Sequence, residues 1–167
     1  MSRLIYLVTH GEKEEGPNPG LTARGRKQAQ QLRQFLPQTP HSIVCGMGRR
    51  HCETAQELEL WPADRHSSVF GVPESKNRAK GTIWLVDGTE IPYGKYTFVE
   101  ERKRLFLEEV AKLPSRTVVI TSRPMIKILG FAGDSKEAGV YRYDPDSGEI
   151  TEIFAASDDI GAGDQEV

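Results

Sequence analysis

The chain has 167 residues, with 37% hydrophobic and 28% charged residues and a formal net charge of −2. That length suffices for one domain with a closed core, and the small net charge argues against a general attraction to nucleic acid or anionic membrane. No apolar run approaches the roughly 20 residues that cross a bilayer, and the N-terminal run lacks the length and cleavage site of a secretory signal, so the expected location is cytoplasmic.

Residues 3–9 (RLIYLVT) form a near-continuous apolar, β-branched run, the pattern of a strand covered on both faces. It ends at His10-Gly11, and a loop follows to Gly20. Thr22 is placed to cap a helix whose inner face carries Ala29, Leu32, Phe35 and Leu36, ended by Pro37 and Pro40. Residues 42–45 (SIVC) read as a second strand, 46–48 as a turn, and 50 to about 60 as a second helix with Ala55 and Leu58 inward.

Residues 61–96 carry weaker signals. Residues 82–86 (TIWLV) read as a strand, and Asp87-Gly88 as the turn of a hairpin into 89–91. Thr97 is predicted to cap a long helix through Val99, Leu105, Phe106, Val110 and Leu113. Residues 116–121 (RTVVIT) form another buried strand, and Pro124 suits the first turn of a helix ending at Gly130. Residues 140–143 and 149–154 flank Pro145-Asp146-Ser147-Gly148 as a hairpin. Residues 157–167 are acidic and read as a disordered tail beyond a domain at 1–156. Strands alternating with helices over the first 130 residues predict a three-layer α/β/α fold with a mostly parallel sheet.

Cys45 and Cys52 are the two cysteines. Their spacing matches no zinc pattern, so free thiols and no metal are expected. No cofactor is expected either.

Three segments sit where an α/β sheet exposes the carboxyl ends of its strands, the place where such folds bind ligands. The first is Leu7-Val8-Thr9-His10-Gly11-Glu12 followed by Leu21-Thr22-Ala23-Arg24-Gly25. A histidine at a strand end presents one ring nitrogen while a carbonyl fixes the other. The adjacent Gly11 lets the main chain approach a phosphoryl oxygen. The second is 46–55 (GMGRRHCETA), where Arg50 suits bidentate contact to phosphate. The third is 118–127 (VVITSRPMIK).

Together these resemble the histidine phosphatase (phosphoglycerate mutase-like) superfamily. Its patterns are Arg-His-Gly-Glu with Leu-Thr-x-x-Gly, then Ser-Pro-x-x-Arg-Ala-x-x-Thr-Ala, then an apolar run with Ser-His-x-x-x-Ile. The resemblance implies a phosphoglycerate mutase-like fold and His10 as phosphoryl acceptor, with Arg50 holding the phosphoryl group. Thr9 stands for the first arginine, and Ser122, or Arg123 after a one-residue slip, stands for the second histidine. The chain therefore resembles a divergent member lacking that histidine. The acid that protonates the leaving group has two candidates, Glu74 and Glu90.

The expected site joins catalytic His10 and Glu74 with phosphate contacts from Thr9, Gly11, Arg50, Ser122 and Arg123. Arg123 beside the missing histidine is expected to restore the charge lost at Thr9, so that an anion binds between His10, Arg50 and Arg123. The expected partner is phosphate or a phosphorylated small molecule, with no nucleic acid and no membrane. The leading expectation is a phosphate-sized pocket with weak or lost phosphohydrolase activity and a binding or regulatory role. Alternatives are an active phosphomonoester or phosphoprotein phosphatase using His10, or a structural module with a vestigial site.

Overall fold

The computed structural model describes residues 3–77, 79–96 and 99–156. The apolar runs become the strands of one six-stranded sheet. In chain order these are β1 (Ile5–Thr9), β2 (Ser42–Cys45), β3 (Arg65–His66), β7 (Thr117–Thr121), β8 (Gly139–Asp144) and β9 (Glu149–Ala155). A separate antiparallel sheet holds β4 (Ser75–Asn77), β5 (Thr82–Trp84) and β6 (Glu90–Pro92). The helices are α1 (Ala23–Leu32), α2 (Arg49–Glu57), α3 (Val99–Ala111) and α4 (Arg123–Ile128).

The large sheet runs β3-β2-β7-β1-β8-β9. β3, β2, β7 and β1 are mutually parallel, and the hairpin β8–β9 adds two antiparallel strands at the β1 edge. The register sets Thr9 beside Thr121 and Cys45 beside Ile120, so the carboxyl ends of β1, β7 and β2 lie side by side.

Side chains alternate across these strands, and the core divides accordingly. Ile5, Leu7, Val44, Val119 and Tyr141 pack with Phe106 and Val110 of α3 and Met125 and Ile126 of α4. Val8, Cys45, Val118, Ile120 and Val140 pack on the other face with Leu32 of α1 and with Ala55 and Leu58 of α2. This is a three-layer α/β/α arrangement with a mixed, largely parallel sheet.

Local chemistry matches the expected boundaries at several points. The Thr22 hydroxyl accepts the Gly25 amide at 2.9 Å and caps α1. Asp87-Gly88 turns the chain between β5 and β6, with Gly88 at φ +92°. α2 stops at Glu57, earlier than expected, because Glu59 turns left-handed at φ 60°. β3 and β4 carry polar sequence that gave no strand signal. Thr97, expected to cap α3, and the tail 157–167 lie outside the described residues.

Candidate active site

The loop after β1 delivers His10 to the sheet end. The His10 amide donates to the Thr121 carbonyl at 3.2 Å, and the His10 carbonyl accepts from the Ala138 amide at 2.9 Å. His10 Nδ1 lies 2.7 Å from the Gly11 carbonyl, which only accepts, so Nδ1 carries the proton and Nε2 carries the lone pair. That tautomer presents Nε2 as the nucleophilic nitrogen. The side chain is nonetheless 1% exposed.

A second histidine faces it. His51 of α2 sets its ring edge-on to His10, with centroids 5.3 Å apart and planes at 90°. His51 Nδ1 accepts the Gly48 amide at 3.1 Å, so the proton is on Nε2, which donates to Ser122 Oγ at 2.9 Å. The chain after β7 supplies no histidine, and Ser122 stands there instead. The ring that meets Ser122 comes from α2 instead. His51 stands where the superfamily pattern has alanine, and a sequence motif gives no sign of where a helical ring will reach.

Glycines make the space for it. A Cβ on Gly46 or Gly48 would come within 2.8 Å of the His51 ring, and one on Gly71 within 2.4 Å of Nε2. Gly46, standing for the pattern's serine, and His51, standing for its alanine, are thus one packing unit. Burial pushes the His51 pKa well below the ordinary histidine value, and its neighbours Arg50, His10 and Arg102 push the same way. The ring is neutral.

Arg50 is fully buried. Its Nη2 donates to the carbonyls of Val72 at 3.0 Å and Glu74 at 3.1 Å, and Nη1 donates to that of Pro73 at 3.4 Å. Thr54, one turn on, donates to the Arg50 carbonyl at 2.8 Å and accepts the Gly11 amide at 3.3 Å, tying α2 to the His10 loop.

Arg102 of α3, which the sequence motifs did not include, is a second buried arginine. Among the described residues its Nε and Nη1 have no acceptor. Burial lowers its pKa; Tyr96 and Glu74 act to raise it and Arg50 to lower it, so these groups are neighbours. Its place on an amphipathic helix gave the only available signal, a charge among Phe106 and Val110 on a helix that packs on the sheet.

The other expected residues fall as follows. Thr9 directs its hydroxyl to backbone: it donates to the Lys136 carbonyl and accepts the Gly139 amide at 2.8 Å. These bonds fasten β1 to the segment before β8. Gly11 is required because a Cβ there would lie 2.3 Å from the Gly25 carbonyl oxygen. Close approach of α1 calls for glycine there. Ser122 is buried and engaged with His51. The charge of Arg123 acts on Tyr141, whereas Arg50, His10 and Arg102 act on His51. The structure therefore groups His10, His51, Ser122, Arg50 and Arg102, and does not bring Arg123 to them by any described contact.

Glu74 lies against this group. Its carboxylate accepts the Tyr96 hydroxyl at 3.2 Å and acts on Arg102. Burial and that carboxylate raise the Tyr96 pKa. Glu90 belongs to the small sheet, where it accepts from Thr82 at 2.8 Å and Asn77 at 3.1 Å.

Residues 5–63, which contain His10, the α1 start and Arg50, match the sequence profile described as histidine phosphatase superfamily (branch 1). That segment is similar to the superfamily, and the rest of the chain lies outside the match. No curated protein sequence matches it. Solved structures that share the fold extend over most of the chain. A putative alpha-ribazole-5'-P phosphatase from Escherichia coli superposes with a TM-score of 0.64 at 14% identity, covering 92% of this chain and 96% of its own. The product of open reading frame Rv3214 from Mycobacterium tuberculosis gives 0.61 at 15% identity, covering 93% and 98%. TTHB049 from Thermus thermophilus gives 0.56 at 17% identity, covering 84% and 93%. No helix among the described residues is long and apolar enough to cross a membrane.

Proposed function

We propose that this histidine phosphatase-superfamily domain binds a phosphoryl anion beside His10, His51, Arg50 and Arg102, turns it over weakly or not at all, and serves in binding or regulation. One observation carries the proposal: two arginines are buried next to each other. Guanidinium groups match the geometry of phosphoryl oxygens, and burial strengthens their attraction for a doubly charged phosphoryl group.

Weak turnover follows from the same geometry. Arg50 directs its two terminal nitrogens to three backbone carbonyls, and the neutral His51 ring occupies the space beside the nucleophile. Loss of one donor to a phosphoryl oxygen typically costs about 100- to 1000-fold in rate. In this reading Arg102 is the second cation of the site. The active-phosphatase alternative has a specific observation in its favour, the His10 tautomer that leaves the Nε2 lone pair for attack on phosphorus. The free thiols of Cys45 and Cys52 suit the reducing cytoplasm.

The test pairs binding with turnover. Calorimetric titration with phosphate and vanadate should show binding that Arg102→Met weakens at least about tenfold, or roughly 1.4 kcal/mol. Unchanged binding in that variant removes Arg102 from the site. A phosphomonoester panel should show little turnover. A catalytic efficiency of about 10⁴ M⁻¹s⁻¹ or more, abolished by His10→Ala, would establish the active alternative.

A further inference from the structure

Outside the histidine–arginine cluster, the fold gathers three soft-metal donors that the sequence scatters. Cys45 is the last residue of β2, His66 the last of β3, and the parallel register pairs them directly. Paired residues of parallel strands project to the same face. Cys45 packs on the face covered by α2, and α2 brings Cys52 down onto it. One donor atom from each of Cys45, Cys52 and His66 lies within 4.8 Å of the others, and Cys52 Sγ is 4.0 Å from His66 Nδ1. The cysteine spacing gave no zinc pattern because the third member comes from strand pairing, fourteen residues beyond Cys52.

We infer that Cys45, Cys52 and His66 form a three-ligand site for a thiophilic divalent ion of the zinc type, with the fourth coordination position open to solvent. With Zn–S bonds of about 2.3 Å and Zn–N bonds of about 2.0 Å, tetrahedral ligand atoms stand roughly 3.5–3.8 Å apart. The observed separations, all within 4.8 Å, therefore need to close by no more than about 1.3 Å. The side chains differ in exposure in the manner such a site requires. Cys45 is buried, Cys52 is half-buried, and His66 faces solvent, so the ion is anchored inside and reachable outside. Trp61 sets its ring edge against His66 at 5.3 Å between centroids and fixes the imidazole at the rim.

Coordination displaces the thiol protons to solvent, giving two thiolates and one neutral imidazole on the ion. A bound ion would join β2, β3 and α2, and α2 is the helix that carries Arg50 and His51.

The test is Co(II) titration of untagged full-length protein, reduced and stripped of metal, with two titratable thiols per chain confirmed beforehand. One equivalent should produce tetrahedral d–d bands and a thiolate-to-metal charge-transfer band, both bleached by Zn(II). Loss of a supporting outer-shell partner alone weakens metal sites about 10- to 100-fold, so Cys52→Ser and His66→Ala should each weaken binding at least about tenfold. Zn(II) should also raise the melting temperature of the parent and of neither variant. Cys52 is half-buried and His66 exposed, so both variants should fold, which the metal-free melting curves check. Absence of the charge-transfer band at one equivalent overturns the site. So does an unchanged affinity in His66→Ala, or Co(II) bound without thiolate bands.

Discussion

Arg50 shows how a residue type matched to phosphate is used when its surroundings change. In the superfamily pattern it holds the phosphoryl group; here it is buried, and the carbonyls of Val72, Pro73 and Glu74 take its donors. It therefore fastens α2 to the segment leading into β4. Arg50→Met keeps the stem and removes the donors, leaving three carbonyls unpaired. Removing one side of a buried charged network costs about 3–5 kcal/mol, and a loss near the lower figure is expected in denaturant unfolding. A change under about 0.5 kcal/mol, the range of an ordinary surface substitution, would show that Arg50 is not structural. His10 and Arg50 were legible in the sequence because their motif neighbours are local. Arg102 and His51 were not, because their significance depends on which helix face meets the sheet end.

At the scale of elements, the apolar strands and the helix starts were readable because local chemistry fixes them. Residues 117–121 are buried at every position, and Thr22 satisfies the Gly25 amide of α1. β4, with the sequence Ser-Lys-Asn, was not readable, since pairing with β5 rather than propensity makes it a strand. The turn at 46–48 is the informative case. Gly46 stands for the pattern's serine, and together with Gly48 and Gly71 it bounds the His51 ring. Gly71→Ala forces a Cβ toward His51 Nε2, and such overpacking costs about 1–3 kcal/mol. In a His51→Ala background the same substitution should cost less than about 0.5 kcal/mol, the size of an ordinary surface change. A double-mutant cycle by chemical denaturation measures the coupling. Equal costs in both backgrounds would mean that Gly71 serves the backbone and not the ring.

For the whole molecule, the site writes a pH dependence into stability. His51 is neutral in the fold because it is fully buried beside Arg50, His10 and Arg102, and because the Gly48 amide points its proton at Nδ1. Its folded pKa lies well below the ordinary histidine value. The unfolded chain takes up a proton there as pH falls through about 6.5, while the folded chain does not. The unfolded state therefore binds more protons, and stability falls with decreasing pH, with a limiting slope of about 1.4 kcal/mol per unit. The contribution is fully present well above that value and is lost on the acid side. Between pH 7 and 5.5 the loss attributable to His51 should be about 1.2 kcal/mol. Urea unfolding of the parent and of His51→Gln at both pH values isolates it, since the other titrating groups are common to both chains. The parent should lose more stability than the variant by about that amount. Equal losses would place a proton on His51 in the folded state, and the neutral-ring description of the site would have to be abandoned.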